Sequence, residues 1–134
     1  RAKRAGAHNI ETRFIDDNKV IKRLHEKADR LLIDAPCSGL GVLRRNPDSK
    51  WKIDQDFIDR IKKEQEKILQ DYAKILKKGG KMIYATCSIL PSENNKQVAL
   101  FLKNNEGYTL IKEEKVMPSE GFDGFYMALI GRNA

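Results

Sequence analysis

Cys37 and Cys87 are the only thiols in the chain and stand fifty residues apart. Each lies in a short motif, Asp34-Ala35-Pro36-Cys37-Ser38-Gly39 and Ala85-Thr86-Cys87-Ser88. A thiolate is a nucleophile when it is accessible and electrostatically favoured. Pro36 fixes the backbone just before the first thiol, and Gly39 permits close approach of a second backbone or a ligand. Asp34 ends an apolar run, so its carboxylate is expected to be half-desolvated and either to find a partner or to cap the turn. The ordinary alternative for a cysteine is a small buried hydrophobe. His8 and His25 do not combine with the two cysteines in a zinc spacing, so no metal site is expected.

The elements that must position these motifs are legible around them. Arg30–Ile33 precedes the first motif and Lys81–Tyr84 the second, and both runs read as buried strands. In an open parallel sheet the loops at the carboxyl ends of strands gather at one crevice. Cys37 and Cys87 are therefore expected close together at one edge of the sheet. Between them lies a long loop, Gly39 to Lys52. A helix follows, with Asp54 as N-cap and Phe57, Ile61, Ile68, Tyr72 and Ile75/Leu76 on its apolar face. Lys77, Lys78 and Gly79-Gly80 read as its stop signal. The second cysteine strand runs from Lys81 to Thr86.

Residues 1–7 read as a helix end capped at Gly6, Asn9–Ile15 as a strand, and Lys19–Lys27 as helical or irregular. After the second cysteine come a helix at Ser92–Asn104, a strand at Tyr108–Val116, a turn at Met117–Asp123 and a strand at Phe125–Ile130. Glu93 and Asn94 either cap that helix or order the thiol loop. The alternation predicts an α/β fold with a mostly parallel sheet, helices on both faces, and an antiparallel closing pair.

Composition narrows the class further. The chain of 134 residues suits one domain, with 40% apolar and 34% charged residues. No apolar stretch approaches the ~18 residues of a membrane span. Two cysteines behind no secretory pattern fit a reducing cytosol, so a cytoplasmic location is expected. A net charge of +7, from 26 basic and 19 acidic residues, favours an anionic partner, foremost nucleic acid. Arg44, Arg45, Lys50 and Lys52 follow Cys37 closely and are candidates for RNA phosphate contacts. Trp51 could stack on a base, but anchoring the loop to the core is the preferred reading.

The motifs together resemble the RNA 5-methylcytosine methyltransferases, specifically the Sun-like branch that modifies bacterial small-subunit ribosomal RNA. The likeness covers the whole chain: both cysteine motifs, the segment Gly41–Trp51, the flanks Lys78–Asn94, and Asp123–Ala128 near the end. It implies a Rossmann-like class I methyltransferase fold and S-adenosylmethionine as cofactor. Cys87 would attack C6 of a target cytosine, and Cys37 would assist C5 proton removal and release of the enzyme. Asp34 would bind the polar edge of the cytosine. Asp16, with Asp17 a near alternative, would contact the cofactor together with Asp34 and Pro36. The target base would have to leave its stack first.

One departure from the family pattern qualifies this. The glycine-rich cofactor turn after a first strand and the ribose-binding acidic residue after a second are absent, and Gly79-Gly80 ends a helix rather than opening one. Residues 1–134 are therefore expected to be the carboxyl-terminal portion of one catalytic domain, lacking its first two strands and having an open sheet edge. The alternative from another class is a basic RNA-binding fragment without catalysis.

Overall fold

The computed structural model describes residues 1–15 and 18–134. Its elements are α1 (Asn18–Arg23), β1 (Ala28–Asp34), α2 (Ser49–Lys52), α3 (Gln55–Ala73), β2 (Leu76–Thr86), α4 (Asn95–Asn104), β3 (Tyr108–Val116) and β4 (Phe125–Arg132). Short 3₁₀ turns occupy Lys3–Ala5 and Pro118–Glu120, the first closed by Gly6 in the left-handed region.

The four strands form one sheet in the order β1-β2-β4-β3. β1 and β2 are parallel, while β4 is antiparallel to both β2 and β3. Three strands thus share one direction, and the closing hairpin turns its last strand inward against β2. The parallel register sets Ile33 opposite Tyr84 and Asp34 opposite Ala85, and the Ala35 amide extends the ladder to the Ala85 carbonyl at 2.9 Å. The two chain segments leave the sheet side by side. That register is what brings positions fifty residues apart to one place.

α3 begins where a side-chain cap is available, with the Phe57 amide donating to Asp54 Oδ1 at 2.7 Å. Its buried stripe is Ile61, Gln65, Leu69 and Ala73, four residues apart at each step. α4 adds Val98 and Phe101. Of these, Leu69, Ala73, Val98 and Phe101 share one core cluster with Ile33, Met82, Tyr84, Tyr126, Ala128 and Ile130 of the sheet. Tyr84 meets Tyr126 edge-on with ring centroids 6.5 Å apart, and Phe101 meets Tyr108 at 5.0 Å.

Four sequence expectations are corrected. Asn9–Ile15 forms no strand, and Ile10, Phe14 and Ile15 in it are exposed. β-branched and aromatic residues favour a strand only where a partner edge and a packing surface exist, and this stretch has neither among the described residues. The helix before β2 stops at Ala73 rather than at the glycines. The Lys27 and Ala28 amides both take the Ile75 carbonyl, Ala28 pairs with Leu76, and Gly79-Gly80 fall inside β2. Residues Gly39–Lys52 are not all loop, since Ser49–Lys52 is a helical turn.

The last correction concerns the faces. Helices α3 and α4 share one, whereas the hollows on the other are lined by strand residues alone, including Leu32, Ile83, Met127 and Leu129. Leu32 there is 68% exposed. Among the described residues no helix is long and apolar enough to cross a membrane.

Candidate active site

The loops leaving β1 and β2 bring Cys37 Sγ within 3.2 Å of Cys87 Sγ. Both are free thiols, half-buried rather than enclosed. Burial, and then the contact with Cys87, push the Cys37 thiol up to about 12. At neutral pH Cys37 therefore keeps its proton and can donate it toward the other sulfur.

The two loops are locked together at several points. The Gly41 amide donates to the Cys87 carbonyl at 2.9 Å, and the Gly124 amide to the Gly41 carbonyl at 2.7 Å. A Cβ on Gly41 would lie 2.1 Å from the Gly124 oxygen and 2.7 Å from the Cys87 oxygen, so three backbones meet where only glycine fits. Gly39 is required by its backbone: its φ of +71° favours glycine, while a Cβ there would make only an ordinary contact with Val42 Cγ2 at 3.7 Å.

Beneath the thiols is a buried polar cluster. Glu93, with no exposed surface, accepts hydrogen bonds from the Ser38 amide at 2.8 Å, Ser38 Oγ at 2.5 Å, Ser88 Oγ at 2.7 Å and Gln65 Nε2 at 3.0 Å. Gln65 also donates to the Pro36 carbonyl at 2.9 Å. Tyr84 donates its hydroxyl to the Glu93 carbonyl. Asn94 accepts from Thr86 Oγ1 at 2.5 Å and donates to the Ser88 carbonyl at 2.8 Å. The alternatives left open for Glu93 and Asn94 resolve in one direction. Asn94 makes no side-chain cap bond to α4, and both side chains order the cysteine loops.

Sequence reasoning missed Gln65, Ser38 and Ser88. The signal for Gln65 was available, because it is the one polar residue on the stripe of Ile61, Leu69 and Ala73. Asp34 departs from expectation. It ends β1 with its side chain exposed and without a hydrogen-bond or ion-pair partner among the described residues, because it points to the face opposite the buried Ile33. Pro36 is likewise exposed. Asp16 and Asp17 lie outside the described residues. Arg44 and Arg45 are exposed on the loop that leaves through Gly41, with Arg45 paired to Asp123 at 2.7 Å, and Lys50 is exposed on α2. Trp51 is 80% exposed rather than anchoring this loop, and Lys50 Nζ lies 4.7 Å from its ring centroid.

An α/β sheet with two thiols facing each other across adjacent strand ends is the class of site seen here, and comparison with known proteins specifies it. The profile of 16S rRNA methyltransferase RsmB/F matches residues 1–130, and the chain belongs to that family. It is 43% identical over 105 residues to ribosomal RNA small subunit methyltransferase B of Proteus mirabilis, covering 78% of this chain and 25% of the relative. Against the protein of the same name in Vibrio cholerae it is 41% identical over 114 residues, covering 80% of this chain and 26% of the relative. Among solved structures, NSun6 from Pyrococcus horikoshii with SFG superposes with a TM-score of 0.84 at 25% identity, covering 99% of this chain and 37% of that one. The chain thus spans about a quarter of the length of the curated relatives it matches.

Proposed function

We propose that this chain is the catalytic-cysteine portion of an S-adenosylmethionine-dependent RNA cytosine-5 methyltransferase acting on ribosomal RNA in the cytoplasm. The observation that carries this reading is the 3.2 Å approach of the Cys37 and Cys87 sulfurs. One nucleophile needs one thiol. Two thiols at the same point suit a reaction in which a covalent bond is both made and broken.

Cys87, as thiolate, adds to C6 of the cytosine, and the bond pushes electron density onto C5. The cofactor, when bound, supplies an activated methyl group for that carbon. Cys37 then receives the C5 proton, the S–C6 bond breaks, and the 5-methylated base leaves. Because Cys37 is protonated at rest, it must first release its own proton to water before it takes the C5 proton as base; until then its S–H can donate to the Cys87 sulfur at 3.2 Å. The exposed carboxylate of Asp34, without a partner among the described residues, and the exposed Pro36 two residues on lie at the carboxyl end of β1, where open α/β sheets take their ligands. They fit part of a cofactor or cytosine site, and Asp16 would add to it. Arg44 and Lys50, with the exposed face of Trp51, would hold the RNA strand.

The test uses the protein with its cofactor-binding segment and a small-subunit rRNA transcript. Cys87→Ala is expected to abolish methyl transfer and yield no covalent RNA adduct. Cys37→Ala is expected to form adduct that accumulates on a denaturing gel, because addition survives while release fails. Adduct from Cys87→Ala and none from Cys37→Ala would reverse the two roles. RNA binding without methylation by the unaltered protein would favour a non-catalytic binding module.

A further inference from the structure

We propose that Glu93 is the positioning residue that sets the distance between the two thiols; the inference rests on reading Cys37 and Cys87 as one catalytic pair. Its carboxylate joins three separate elements: the loop after β1 through Ser38, the loop after β2 through Ser88, and α3 through Gln65. Each serine directly follows a cysteine in sequence. Ser38 Oγ and Ser88 Oγ stand 3.2 Å apart over the carboxylate, the same separation as the two sulfurs. The pair of serines is thus a bracket, and the sulfurs are the ends of its arms.

A fully buried carboxylate is costly unless its acceptor sites are filled, and here four donors fill them. Helix capping does not explain its burial, since the cap position of α4 is Asn94. The carboxylate's hydrogen bonds go to Ser38, Ser88 and Gln65 and none to a sulfur, so its influence on the chemistry acts through the serines. Reacting groups misplaced by about 1 Å can lose on the order of 10²-fold in rate, so a group that fixes two loops at once has a large lever.

The informative variant is Glu93→Gln, which keeps the volume but turns one acceptor oxygen into a donor. In the protein with its cofactor-binding segment, kcat on the rRNA transcript is expected to fall about tenfold or more while KM for RNA stays within about threefold. A second reading needs no RNA. Diamide takes one hydrogen from each thiol onto its azo nitrogens as a Cys37–Cys87 disulfide forms, and the rate is followed by mass spectrometry. That rate is expected to fall by a similar factor in Glu93→Gln, with cooperative thermal unfolding retained.

Active wild-type protein with both rates unchanged in Glu93→Gln overturns the proposal. Wild-type protein that never methylates, with disulfide formation still slowed in the variant, removes the functional reading and leaves the positioning role standing. Should Glu93→Gln not fold, Ser88→Ala and Ser38→Ala each remove one hydroxyl of the bracket. Slowing by both supports the proposal, and unchanged rates in both overturn it.

Discussion

At the scale of single residues the two cysteines are not equivalent. Cys37 lies where burial and the neighbouring sulfur both oppose loss of its proton, and its thiol is pushed up to about 12. Only the thiolate reacts with alkylating agents at a useful rate. Cys37 is therefore expected to resist iodoacetamide through pH 9, its modification rate climbing only as pH moves toward 12. Peptide mass spectrometry after timed alkylation measures this for Cys37 separately. A Cys37 modification midpoint near 8.5–9, the range of an ordinary thiol, would remove the argument that it is a proton-bearing partner at rest.

At the scale of elements, the parallel register of β1 with β2 is what makes the site, and backbone contacts after the strands hold it. Gly41 and Gly39 test two different reasons for glycine. At Gly39 the cost of alanine is backbone strain at φ +71°, about 1–2 kcal/mol, since the added Cβ makes only an ordinary contact with Val42 at 3.7 Å. At Gly41 a Cβ meets two carbonyl oxygens that belong to other segments, so the Cys87 loop or the Gly124 turn must move. Overpacking of this kind costs about 1–3 kcal/mol, and here it also breaks the hydrogen bond that joins the two cysteine loops. Urea unfolding is expected to find both variants destabilised, with diamide closure of the thiol pair slowed only in Gly41→Ala. Equal closure rates in the two variants would show that the Gly41 junction does not position the sulfurs.

The same elements show what could be read from the residues alone. The strands before each cysteine, the Asp54 cap and the closing hairpin are local patterns, and they stand in the structure. So does the meeting of the two motifs, because the carboxyl-end rule for parallel strands needs only strand type and order. What failed were features decided by distant partners. Leu76 continues the helical apolar period of α3 yet pairs with Ala28, and Asn9–Ile15 has strand residues but no strand to join. The stripe position of Gln65 and the two alternatives for Glu93 were legible, but the carboxylate's partners on three elements emerge only when those elements are assembled.

At the scale of the whole chain, charge and cofactor contacts separate. The net charge of +7 and the exposed Arg44, Lys50 and Trp51 are available in the chain by itself. RNA binding by these 134 residues is expected, with an affinity that falls steeply as salt is raised. For the cofactor we propose the opposite. A nucleotide-type cofactor draws most of its contacts from a glycine-rich turn, the helix N-terminus behind it and a carboxylate on the ribose. None of the nine glycines forms such a turn: Gly79 and Gly80 lie within β2, and Gly41 and Gly124 are consumed by backbone packing. Asp34 with an exposed carboxylate adds little net affinity alone, since an exposed charge in water gains about 1 kcal/mol or less from a partner. Titration calorimetry of S-adenosylmethionine into the 134-residue chain is therefore expected to give no measurable heat at micromolar concentrations. Micromolar binding would mean that the cofactor site is built from the residues present here, with Asp34 and Pro36 at its centre rather than at its margin.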